Sequence, residues 1–333
     1  MESRKLGNLQ TVVSAIGIGA MSFSDFYGPT DTEKSHAILT AALDLGIDHI
    51  DTSNVYGAGV SEERIGLFLA KQGPGGASLF KIATKAGIAR SKDGSRLFDN
   101  SAEHLAAELD KSLQRLGVDQ VELFYVHRRD PDIEIEEVTE TLVGFVTSGK
   151  IRQFGFSEIA PTSLARAAKI HPVGAVQSEY SLSTRSPELG LIQKTAELGT
   201  TLVAFSPIGR SLLTDTPHTE DKVQSFPFLK NNPRFLEPNL SRNVEATAGF
   251  RGLAGDMGVT TSTLAIAWLL HQGPHILPIP GTRSVDHLKE LAKGANLKLT
   301  AADLDEISRR LPLGWAHGDR YSQAQWIGPE RYC

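Results

Sequence analysis

Hydrophobic and polar positions along the chain alternate between two textures. Short apolar, β-rich runs occupy 14–21, 48–51, 80–86, 121–127, 151–157, 174–180, 201–206 and 275–280, and most are followed by a longer stretch whose apolar residues recur at helical spacing. "VELFYVH" and "TLVAFS" are of the first kind, "SAEHLAAELDKSLQRLG" and "IEEVTETLVGFVTSGK" of the second. Several helical stretches start on Ser, Thr or Asp, whose side chains accept from the unpaired first amides. They stop at Gly, which adopts the left-handed backbone that ends a helix. Continuous apolar strands alternating with helices require a parallel sheet with right-handed crossovers. Eight units is the number that closes a barrel, and such barrels reach this length as one domain. The pattern predicts an α/β fold, a single (β/α)8 TIM barrel domain over residues 1–333 with its core at about 14–295.

Three segments fall outside the repeat. "RKLGNLQTVVS" reads as an N-terminal β-hairpin across the bottom of the barrel. The stretch 209–240 is a long loop after strand 7, rich in Pro, Phe and charge, and an extra helix follows near 241–257. A connection of that length is usually functional or disordered. A C-terminal helix and tail fill 300–333, and the tail reads as a segment able to fold over the barrel mouth. A doubly wound dinucleotide-binding sheet fails as the alternative. Gly17 and Gly19 lack the third glycine of the fingerprint, and Asp51 lies too far along for the ribose role.

Composition narrows the function classes. The formal charge of −5, from 34 basic and 39 acidic residues well interspersed, supplies no field for nucleic acid or a membrane surface. Cys333 is the only cysteine, which excludes a disulfide framework and a cysteine-based metal site, and no metal is expected. The N-terminus has no signal pattern and no apolar stretch is long enough to span a bilayer, so a cytoplasmic location is expected.

In a barrel of this type the active site lies where strands end, so titratable residues at strand C-termini are the candidates. Asp51 ends strand 2, Tyr56 lies in the next loop, Lys85 ends strand 3 and His127 ends strand 4. Singly these read as a turn cap, a rim aromatic, a solvated cation and a core histidine. Together they form a proton-transfer set. The aspartate holds the lysine charged, and a charged lysine beside a phenol draws its pKa down from about 10 toward a general acid's working range. A barrel lyase using Lys85 as a Schiff-base amine is a competing reading.

"DTSNVYG", "ATKAG", "LFYVHRRDP", "GKIRQFGFSE", "VQSEYSL", "AFSPIGR" and "ILPIPGTRS" resemble, in order and spacing, the motifs of the aldo-keto reductase family, from about residue 5 to residue 311. "NNPRF" before the extra helix is similar to the bacterial and fungal branch with YakC-like and pyridoxal reductases; reductases of 3-keto trichothecenes are a looser likeness. The resemblance implies Tyr56 as proton donor to a carbonyl oxygen, Lys85 as the group that lowers its pKa, Asp51 as the anchor of Lys85, and His127 as the residue that orients the substrate oxygen. It implies NADPH as cofactor, preferred over NADH. Ser157 and Gln177 would bond the nicotinamide carboxamide, Phe205 would stack on the ring, and Ser206, Pro207, Ile208, Gly209 and Arg210 would wrap the pyrophosphate.

Gly281, Thr282 and Arg283 at a helix start would take a phosphate, with His287 and Glu290 at the 2′-phosphate and adenine contacts. Glu158 stands where many members carry Asn, which leaves that contact unfilled. Phe23, Val55 and Arg128 are the substrate candidates, around a roomy, partly aromatic pocket for a bulky or cyclic carbonyl. The expected partner is this small molecule, and the expected state a monomer or weak homo-oligomer. A cofactor-binding regulatory subunit of the channel β-subunit type is the alternative function.

Overall fold

The computed structural model describes residues 1–9, 11–91 and 95–332, so Cys333 lies outside the described residues. The eight expected apolar runs each supply one strand: β1 (Ile18–Gly19), β2 (His49–Asp51), β3 (Lys81–Ala86), β4 (Val121–Val126), β5 (Ile151–Ser157), β6 (Ala175–Glu179), β7 (Thr201–Phe205) and β8 (Ile276–Pro278). Each pairs in parallel with its sequence neighbour. The ring is closed by Gly17 N donating to Pro278 O and Gly19 N to Pro280 O, both at 2.9 Å. Pro278 and Pro280 have no N–H to return, so the seam is bonded in one direction. That is why the first run, read as 14–21, pairs as a strand only at Ile18 and Gly19. The fold is the expected (β/α)8 barrel.

Eight helices wrap it: α1 (Thr32–Asp44), α2 (Val60–Lys71), α3 (Ala102–Leu116), α4 (Ile135–Thr147), α5 (Pro161–Ile170), α6 (Leu191–Leu198), α7 (Thr261–Leu270) and α8 (Val285–Gly294). Capping follows the sequence. Asp31, Ser101, Thr260 and Ser284 accept from the first turns of α1, α3, α7 and α8, and Gly117 and Gly199 close α3 and α6 in the left-handed region. No single helix among the described residues is long and apolar enough to cross a membrane.

Strand side chains alternate in direction, so every second residue points into the barrel. The inward residues Ala83, Leu123, Tyr125, Ala175, Val203 and Leu277 form one cluster, and Leu6 and Val13 of the N-terminal hairpin (Ser3–Lys5 with Val12–Ser14) plug its lower end. Gly155 makes room for the Tyr125 ring, since a Cβ there would lie 2.8 Å from it and 2.3 Å from Ala175 O. The same inward series, continued toward the C-terminal ends, reaches Asp51, Lys85, His127, Ser157, Gln177 and Phe205.

Two parts differ from the expected pattern. The β3–α3 connection contains a small hairpin, Ile88–Arg90 with Arg96–Phe98, too short to register as periodicity. The extra helix near 241–257 is two helices, Asn239–Ala246 and Ala248–Asp256. They part at Thr247, where the Val244 carbonyl accepts from the Thr247 hydroxyl at 3.0 Å and from Arg251 Nη2 at 2.7 Å. The excursion after β7 is ordered around its own apolar cluster of Leu212, Val223, Phe226, Leu229, Phe235 and Leu240.

Barrel closure gives a direct test. A Cβ on Gly19 would lie 2.7 Å from the Ile279 carbonyl oxygen, so the seam must open to admit it. Gly19→Ala is expected to lower stability by about 1–3 kcal/mol, read as a shift of the urea midpoint.

Candidate active site

Asp51 and Lys85 end inward series on adjacent strands, and their side chains meet as a buried ion pair between Nζ and Oδ1. Lys85 Nζ also donates to Thr52 O at 2.7 Å and to Tyr56 Oη at 3.3 Å, so its three protons have three acceptors. The second Asp51 oxygen accepts from Gln177 Nε2 at 2.7 Å, across the barrel on β6. Lys85 is 0 % exposed. Burial opposes its charge, but the Asp51 carboxylate, with Tyr56, outweighs it and holds the ammonium pKa above its ordinary value. A Schiff-base role needs the free amine, so the ion pair argues against that chemistry.

Tyr56 is set by a tight loop after β2. Tyr56 N donates to Ser53 O, the backbone turns through positive φ at Gly57, Ala58 and Gly59, and Asn54 Nδ2 ties the loop to Glu108 of α3 at 2.7 Å. The Tyr56 and His127 rings meet edge to face with centroids 5.9 Å apart. One expectation is corrected here. Burial pushes the phenol up by more than the Lys85 ammonium pulls it down, and its pKa lies above the ordinary value, not below. The phenol is therefore protonated, as a proton donor must be.

His127 is 7 % exposed and its Nδ1 lies 3.1 Å from Ser53 Oγ. Burial, then the neighbouring cations Arg128, Lys85 and Arg96, push it well below the usual histidine range, so the imidazole is neutral. Sequence reading missed Ser53, which carries no signal beyond its place in the Tyr56 loop.

Ser157 and Gln177 lie at the same level, on β5 and β6, and Phe205 is half-buried at the end of β7. The loop after β7 contains three non-glycine residues at positive φ, Ser206 (51°), Arg210 (53°) and Ser211 (90°), together with Gly209 (58°). Such strain of about 1–3 kcal/mol per residue concentrates at ligand-binding turns, and runs of left-handed residues make concave anion sites. Pro207 and Ile208 lie within this turn. The Arg210 side chain does not join it. Its guanidinium is buried against Glu179 Oε2 at 2.9 Å and Tyr27 Oη at 3.1 Å, over the Phe228 ring at 4.8 Å, so what Arg210 adds to the turn is its left-handed backbone.

At the start of α8, Gly281 is exposed, Thr282 accepts from Ser284 N, and Arg283 Nη1 donates to Pro29 O at 3.1 Å. Arg283 has no carboxylate partner among the described residues, and burial, then the charges of Lys222 and Arg283, lower the pKa of His218 in the excursion. His287 is exposed and Glu290 half-buried on α8. Of the substrate candidates, Val55 is exposed at the rim and Arg128 is buried beside His127. Phe23 is corrected: at 1 % exposure it belongs to the main core and has no face at the mouth. The mouth is walled by Phe26, Tyr27 and Phe228 with Tyr321 and Trp326 of the tail, in successive ring contacts of 4.9 to 6.1 Å.

The tail does fold over the barrel. Arg320 pairs with Glu158 and lies 3.7 Å from Glu179, all three side chains being nearly inaccessible, and Glu330 returns to β5 by accepting from Ala160 N at 2.7 Å. Burial opposes the charge on both glutamates, but Arg320 and Arg210 hold them below the usual carboxylate range.

Comparison with known proteins agrees with this architecture. Residues 15–311 match the model of the Aldo/keto reductase family. The chain is 37 % identical to the Schizosaccharomyces pombe protein named aldo-keto reductase yakc [NADP(+)], over 96 % of this chain and 94 % of that one. It is 36 % identical to a Glycine max protein named "Probable aldo-keto reductase 1", over 95 % and 91 %. The structure of a glycerol dehydrogenase from Gluconobacter oxydans superposes with a TM-score of 0.81 at 26 % identity, covering 93 % of this chain and 96 % of that one. With the motifs, the barrel and a family match over nearly its whole length in agreement, this chain belongs to the aldo/keto reductase family.

Proposed function

We propose that the protein is an NADPH-dependent carbonyl reductase in which Tyr56 gives its proton to the substrate oxygen. The observation that carries this reading is the Lys85 ammonium, buried between the Asp51 carboxylate and the Tyr56 hydroxyl 3.3 Å away. A lysine so held donates to the phenol oxygen and stabilises the phenolate left when the proton departs. The neutral His127, its ring fixed by Ser53, offers a hydrogen bond to the same substrate oxygen without a competing charge.

Residues suited to NADPH surround this point. Ser157 and Gln177 would hold the nicotinamide end, Phe205 its ring, and the turn at 206–209 the pyrophosphate. Arg283, with Lys222 near it, supplies positive charge that meets no carboxylate among the described residues beside the α8 N-terminus, which suits a 2′-phosphate. The name of the fission-yeast relative carries NADP(+). When bound, the nicotinamide would supply the hydride that reaches the carbonyl carbon. The aromatic wall and the tail exclude water, and favour a bulky or cyclic carbonyl over a small aliphatic one.

Tyr56→Phe removes only the proton that is transferred. It is expected to lower kcat by about 10²–10⁴-fold, with the NADPH Kd nearly unchanged; retention of most turnover would sink the assignment. Arg283→Gln is expected to raise the KM for NADPH by about tenfold while leaving that for NADH alone, so the ratio of kcat/KM for the two cofactors falls. A panel of short aldehydes, cyclic ketones and pyridoxal, followed by loss of NADPH absorbance, is expected to give the highest kcat/KM with the cyclic compounds. A ranking led by short aldehydes would contradict the aromatic pocket.

A further inference from the structure

The residue after Ser157 is Glu158, and both of its carboxylate oxygens are engaged. Arg320 pairs with both of its oxygens, while Glu179 N donates to Oε1 at 2.8 Å and Ser178 Oγ at 3.3 Å. Its backbone is in the left-handed region, φ 59°. This side chain is therefore committed to the tail, and as a carboxylate it has no proton to donate to a ligand at Ser157.

A different residue fills that position. Arg128, the residue after His127 at the end of the β4 inward series, is 9 % exposed. Nη1 donates to His127 O at 2.6 Å and to Ser157 Oγ at 3.0 Å, and Nε is buried with no partner. No carboxylate lies within ion-pair distance of it among the described residues. Arginine cannot shed its proton, so a buried guanidinium beside His127 and Ser157 with no carboxylate partner calls for an acceptor from outside the chain. Ser157 Oγ already accepts from Arg128, which leaves its own proton free to be donated. Gln177 Nε2 is held by Asp51, which leaves its Oε1 to accept. Two donors and one acceptor so arranged are complementary to a primary amide, donors to its oxygen and acceptor to its NH2.

We propose that Arg128, together with Ser157, binds the carboxamide oxygen of nicotinamide, and that Arg320 holds Glu158 away from it. Arg128 thus passes from substrate candidate to cofactor residue. The inference rests on the reductase reading above, and binding measurements separate the two.

The test uses the purified full chain and titrations followed by protein fluorescence. The probes are NADP+, its nicotinic acid analogue, in which the carboxamide is a carboxylate, and 2′,5′-ADP, which lacks the nicotinamide. The wild type is expected to bind the carboxylate analogue at least as tightly as NADP+, because its oxygens face a guanidinium. Arg128→Met is expected to weaken NADP+ about tenfold, to weaken the carboxylate analogue further, and to leave 2′,5′-ADP unchanged. The last reading also reports that the variant is folded. Discrimination against the carboxylate analogue by wild type of about tenfold or more overturns the proposal without any variant. An unchanged NADP+ affinity in Arg128→Met, with a raised KM for the carbonyl compound, overturns it too and returns Arg128 to the substrate. Failure of the wild type to bind NADP+ or NADPH at all would sink the reductase reading instead.

Discussion

The buried pair of Lys85 and Asp51 is the constraint on which the site depends. Removing two charges from water is expensive, and an ion pair sealed in a barrel repays it only if every remaining proton and lone pair finds a partner. Here they do, through Thr52 O, Tyr56 Oη and Gln177 Nε2. The pair and its partners come from β2, the loop after it, β3 and β6, so satisfying one ion pair fixes the relative heights of four segments of the barrel. Tyr56 is held by that demand as much as by its own loop.

A second set of buried charges governs the rim. Glu158 and Glu179, on neighbouring strands, would repel each other if left alone. Arg210 from the β7 loop and Arg320 from the tail neutralise them. Each arginine also stacks on aromatic rings, Arg210 on Phe228 and Arg320 on Tyr321 and Trp326. Charge neutralisation and the aromatic wall are thus one construction. It binds the excursion and the tail to the barrel mouth, beside a β7 turn whose backbone is strained.

Electrostatics then divides the labour among titratable groups lying side by side. Lys85 remains charged because Asp51 outweighs burial, His127 is neutral because burial and three cations act together, and Tyr56 is protonated because burial exceeds the pull of one ammonium. Proximity alone gives the wrong sign for the phenol. The lysine does lower the tyrosine, but the apolar surroundings that make the ion pair strong raise it further.

Much of this was legible from residue order. Eight apolar runs, Ser, Thr or Asp before helices and Gly after them specify a barrel because periodicity and capping are local properties of the chain. Period-2 alternation then places Asp51, Lys85 and His127 at one mouth, since all end inward series on adjacent strands. What the sequence could not carry is how side chains distant along the chain divide a limited set of partners. Phe23 and Phe26 look alike as loop aromatics, but one is sealed in the core and the other lines the mouth. Arg210 and Arg128 both look like ligand cations, but one meets Glu179 and the other meets no carboxylate among the described residues. Glu158 looks like a lost cofactor contact, until Arg320 arrives from the tail to claim it. The chain's own order determined the barrel and the four residues at its mouth; three-dimensional packing alone decided which charges cancel and which remain for a ligand, because pairing depends on distances that linear spacing does not encode.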